Sequence, residues 1–71
     1  VYAALKEWRR RRAGQDGVPA YVVFHDTTLT DIARAAPTTL AALASVSGVG
    51  PTKLQRYGSE LLGVLQRELT D

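Results

Sequence analysis

Apolar residues recur along most of this chain at helical spacing. Val1, Ala4, Leu5 and Trp8 fall at i, i+3, i+4 and i+7, which puts them on one face of a helix predicted over 1–13. Gly14 supplies a C-terminal stop, and 15–18 form a polar connector. Pro19-Ala20-Tyr21-Val22-Val23-Phe24 has the β-branched and aromatic content of a strand, yet the chain offers no second strand to pair with it. Pro19 suits a first helical position, so this segment is expected to be a short buried helix. Thr28 followed by Asp31 resembles a capping arrangement. It opens a helix over about 29–36 that buries Leu29, Ile32, Ala33 and Ala36 and ends at Pro37. Thr38 or Thr39 then caps a helix carrying Leu40, Leu43 and Ala44, and 45–50 make a tight turn. Pro51 opens the last helix, which runs to about Leu69 with Leu54, Tyr57, Leu61, Val64, Leu65 and Leu69 inward. Gly58 lies on that same face, where the missing side chain lets a neighbouring helix come close. The pattern predicts an all-α fold, a compact five-helix bundle.

Composition narrows the class. Seventy-one residues make one domain, 1–71, small enough to sit near the stability limit. There is no cysteine, so neither disulfides nor thiolate metal sites reinforce it, which suits a reducing cytosol. No apolar run approaches a membrane span, and no signal-peptide pattern opens the chain. The lack of methionine, even at position 1, is expected of a fragment excised from a longer protein.

Net charge is only +2, but four of the nine cations stand together as Arg9-Arg10-Arg11-Arg12. At about 100° per residue Arg10 points away from the Leu5/Trp8 face, Arg9 and Arg11 flank it, and Arg12 snorkels around its end. Two readings stay open: a phosphate-binding patch, or a solubilising last turn that complements the helix dipole. Val46-Ser47-Gly48-Val49-Gly50-Pro51-Thr52-Lys53 is the second candidate. A Gly-x-Gly turn feeding a helix start exposes backbone N–H groups; Gly48 can take positive φ, Gly50 leaves room for a phosphate, and Thr52 and Lys53 add a hydroxyl and a charge. The turn resembles the hairpin of helix-hairpin-helix DNA-binding motifs, and it is equally a helix connection needing two glycines for steric reasons. Lys53, Arg56, Glu60 and Arg67 share one face of the last helix, as a solvated mixed-charge stripe would. Tyr21 is either a stacking platform for an unpaired base or a rim tyrosine of the core. His25, the single histidine, reads as a turn residue bonding local backbone, and with Asp26 and Asp31 it makes a poor metal site. With no cysteine nucleophile, no paired carboxylates and no serine partner for that histidine, no enzyme, metal or cofactor is expected.

Two blocks then carry a family resemblance. The first, Val18-Pro19-Ala20-Tyr21-Val22-Val23-Phe24-His25-Asp26-Thr27-Thr28-Leu29, is similar to the P-x-Y-x-V-F-x-D-x-T-L signature of HRDC domains. The second comprises Leu43–Gly50 and Lys53-Leu54-x-Arg56-Tyr57-Gly58, and Leu5-Lys6-x-Trp8-Arg9 fits the family's first helix. The resemblance runs from about Tyr2 to Leu69. It implies a five-helix bundle from RecQ-family or UvrD-like DNA helicases, or from ribonuclease D, with the first block nearer the helicase versions. It further implies weak binding of single-stranded or partly duplex DNA through a shallow basic surface, tuning the helicase's substrate choice. Contacts to the parent helicase core or another protein are the alternative. The implied domain is monomeric, cytoplasmic and nucleoid-associated. The position of Tyr21 carries over as a DNA contact, whereas His25 replaces the asparagine often found there. The arginine run, Tyr21, the turn residues Gly48, Gly50, Thr52 and Lys53, and Arg56 are thus the candidate DNA contacts.

Overall fold

In the computed structural model, which describes residues 1–69 except for the Leu69 side chain, the order is α1 (Tyr2–Asp16), α2 (Ala20–Val23), α3 (Asp26–Ala35), α4 (Leu40–Ala44) and α5 (Pro51–Leu69). There is no strand among the described residues. Helix α1 packs against α2, α3 and α5, and α4 lies on α5. The core joins Leu5 and Trp8 to Val23, Phe24, Leu29, Ile32 and Leu43 and to Tyr57, Leu61 and Leu65 of α5. Three of its aromatic rings meet, with Trp8, Phe24 and Tyr57 centroids 5.7–6.2 Å apart and tilted or edge-on, the geometry that ring quadrupoles favour.

Helix ends account for the differences from the sequence pattern. Helix α1 does not stop at Gly14; it continues to Asp16, and Gly17 takes the left-handed conformation at φ 68°. The Gly17 N–H donates to the Gly14 carbonyl and the Val18 N–H to the Ala13 carbonyl, a Schellman closure completed by packing of Val18 on the core. Helix α3 begins at Asp26, two residues before Thr28. Thr28 is therefore no cap; it is buried in the first turn, where it fills the space beside Gly48. Thr39, by contrast, caps α4 with its Oγ1 accepting from the Ala42 N–H at 3.1 Å. Leu43 of α4 is buried while Leu40 and Ala44 are exposed. Even so, the Leu40 Cδ2 atom lies where a Gly58 side chain would project, 2.8 Å from an ideal Cβ. The Leu69 side chain, expected inward, lies outside the described residues.

Candidate nucleic-acid interface

Helix α2 is a single turn, and its two sides differ. The Val22 N–H donates to the Pro19 carbonyl and the Phe24 N–H to the Ala20 carbonyl, after which Phe24 is extended. Val23 and Phe24 are buried, but Tyr21 is 60% exposed and Val22 43%. The segment is thus only half of the buried helix its composition suggested. The His25 ring stacks against Tyr21 at 6.0 Å and 25°. No side-chain cap forms at His25, so it is a ring partner for Tyr21 and not a turn residue bonding backbone. Outward tyrosine, valine and histidine make an amphipathic ledge with Arg9, Asp26 and Thr27 lining its edge.

The arginine run does not form one patch. Arg9 turns inward to 8% exposure, donating from Nη1 to the Phe24 carbonyl at 2.8 Å and pairing through Nη2 with Asp26 at 2.6 Å. Arg10 grips Glu7 through two hydrogen bonds of 3.0 and 2.6 Å, and Arg11 lies 4.0 Å from the same carboxylate. Arg12 lies between α1 and α5, 3.7 Å from Asp16 and 3.6 Å from Glu60. Its guanidinium sits over the Tyr57 ring at 5.3 Å. The hydrogen bonds from Arg10 and Arg9 hold the Glu7 and Asp26 carboxyls below their ordinary range. Successive side chains diverge by about 100°, so each arginine meets a different partner.

The turn before α5 divides in the same way. Gly48 has φ 91° with Thr28 against it, so any side chain there is strained and obstructed. Gly50 faces open space and has no positive φ; packing requires only the first of the two glycines. Thr52 is exposed. Lys53 leaves the solvated stripe: its Nζ donates to the Val22 and Val23 carbonyls, each at 2.6 Å, and lies 5.1 Å from the Phe24 ring centroid. Burial first, and Arg56 second, push the Lys53 pKa down. Arg56 lies 3.6 Å from Asp16 and covers Tyr57 at 5.3 Å, while the Tyr57 hydroxyl donates to Asp16 at 3.1 Å. Glu60 likewise leaves the stripe, accepting from Trp8 Nε1 at 3.0 Å.

Tyr21 and the cationic candidates therefore fall into three groups. Tyr21, Lys53 and Arg9 meet at α2; Arg12 and Arg56 meet over Tyr57 and Asp16; Arg10 and Arg11 share Glu7. Glu7 could have been found from its i,i+3 and i,i+4 spacing to the arginines. Val22 and His25 as parts of the ledge, and Asp16 as a shared anion, carried no such local signal.

A family model described as the HRDC domain matches residues 1–65. The chain is 48% identical over 62 residues to the ATP-dependent DNA helicase UvrD2 of Mycobacterium tuberculosis, which is 87% of this chain and 9% of that protein. It is 36% identical over 67 residues to the ATP-dependent DNA helicase RecQ of Pasteurella multocida, 94% of this chain and 11% of that protein. The chain thus spans about a tenth of the length of these curated relatives. A solved structure described as D. radiodurans RecQ HRDC domain 3 superposes with a TM-score of 0.95 at 37% identity, covering 99% of this chain and 92% of that one.

Proposed function

Because this chain belongs to the HRDC domain family, we propose that it serves as the DNA-binding accessory domain of an ATP-dependent DNA helicase, engaging single-stranded or partly duplex DNA and biasing which substrates that enzyme takes. The observation that carries the reading is Tyr21, 60% exposed on a ledge whose neighbouring residues are anchored in the core. An open aromatic face stacks on any base, which gives affinity without sequence preference. Binding is weak in this reading, because Arg9, Arg10 and Arg12 each spend their charge on a carboxylate of the chain itself.

The test is an NMR titration of the chain with short single-stranded DNA at low and moderate salt, repeated with Tyr21→Ala. Shifts centred on residues 20–27 that Tyr21→Ala abolishes support the reading; identical affinity with and without the tyrosine ring removes it. The internal pairing of the arginines favours a second reading, docking on the parent helicase core. Shifts on adding that core, with none on adding DNA, would select it.

A further inference from the structure

Three consecutive carbonyls at the end of α2 are held by two cations from different helices. Lys53 of α5 donates to those of Val22 and Val23, each at 2.6 Å, and Arg9 of α1 donates to that of Phe24 at 2.8 Å. A helix leaves its last carbonyls without internal partners, and a one-turn helix has too few hydrogen bonds to persist unaided. The partial negative charge collected at that end attracts cations. Both residues are candidate phosphate contacts by sequence, but Lys53 donates to backbone carbonyls and Arg9 to a carbonyl and the Asp26 carboxylate.

We propose that Lys53, seconded by Arg9, is a positioning residue: it acts on DNA through Tyr21, by fixing the single turn that presents the ring, and not by contacting phosphate. The proposal rests on the DNA-binding reading given above. Lys53→Met keeps the length of the stem beside Phe24 and removes the donor, so it separates the two roles.

The experiment measures affinity for short oligothymidylate across a salt series for the unaltered chain, Lys53→Met, Tyr21→Ala and the double variant. Amide hydrogen exchange is followed in the free proteins. Lys53→Met is expected to weaken binding roughly three- to tenfold at every salt concentration, leaving the salt slope unchanged. In the Tyr21→Ala background it weakens binding no further, since the turn then presents nothing. Exchange quickens at the Val22 and Phe24 amides while the α5 amides of Leu61 and Leu65 stay protected, which shows that the fold survives. A slope reduced by about 0.7 would make Lys53 a phosphate contact and overturn the proposal. Additive losses in the double variant, or unchanged exchange at Val22 and Phe24, overturn it as well. If Tyr21→Ala leaves affinity unaltered, the DNA-binding reading fails instead, and the exchange measurement still decides whether Lys53 orders α2.

Discussion

The Arg9 guanidinium and the Asp26 carboxylate meet at 2.6 Å, yet the arginine side chain is 9% exposed and the aspartate 68%. The cation gives up its hydration while the anion keeps most of its own. Water therefore screens the pair, and the stronger hold on Arg9 is the buried hydrogen bond to the Phe24 carbonyl. Together the two contacts fasten α1 to the α2–α3 junction.

Replacing Arg9 by methionine keeps much of the buried stem and strands that carbonyl. Chemical denaturation is expected to show a loss of about 2 kcal/mol, the scale of a charge-assisted hydrogen bond with its acceptor left unpaired. Asp26→Asn should cost less, because water screens the pair. Equal losses would mean that the ion pair, and not the carbonyl, sets the stability of the junction.

Acid should weaken the fold through the same residues. Arg9 lowers the Asp26 pKa and Arg10 that of Glu7, so both carboxyls bind fewer protons in the folded state than in the unfolded one. Their contribution is complete above the unfolded values, 4.5 for Glu7 and 3.8 for Asp26. It is lost as the pH falls through the lower folded values. Thermal midpoints should hold steady from neutrality down to about pH 4.5 and then decline, with a shallower decline for Asp26→Asn. An equally steep decline in that variant would leave the pair without a role in acid unfolding.

Two glycines should respond in opposite ways to alanine. At Gly48 the φ of 91° and the Thr28 side chain both oppose a Cβ, and Gly48→Ala is expected to cost about 2 kcal/mol or more. At Gly58 the obstacle is the far end of the exposed Leu40 side chain, which can swing aside. The helical gain of about 1 kcal/mol then offsets the contact, so Gly58→Ala stays within roughly 1 kcal/mol of the unaltered chain. A cooperative melt of each variant measures both values.

Glu7→Gln offers a test on the charge side. It breaks the two-oxygen grip on Arg10 and removes the negative charge beside Arg10 and Arg11, leaving both more available to phosphate. DNA affinity should rise about two- to threefold, with a steeper salt dependence. If neither changes, that face of α1 lies outside the DNA contact.

Where the governing interactions are local, the sequence pattern was enough. Pro51 opening α5, Thr39 capping α4 and the inward row from Tyr57 to Leu65 are set by residues within a turn or two of one another. The end of α1 was not legible, because Gly14 and Gly17 are equally fit to stop a helix. What extends it is tertiary: Val18 on the core and Asp16 held by Tyr57 and Arg56 from α5. The arginine run shows the same limit more sharply. Helical angles give the direction in which Arg9 leaves its helix but not the carbonyl fifteen residues away that receives it, and Lys53 finds its acceptors some thirty residues away.

Trp8 is the only tryptophan in the chain, and its indole N–H donates to Glu60 of α5 while its ring meets Phe24 and Tyr57. The protein therefore carries its own optical probe. Emission excited at the red edge comes from one fluorophore seated between α1 and α5, and excitation of Tyr57, 5.7 Å away, feeds it by energy transfer. Separation of these helices would redden the emission and cut the share of the transfer that comes from Tyr57, so the bundle can be watched coming apart without a label.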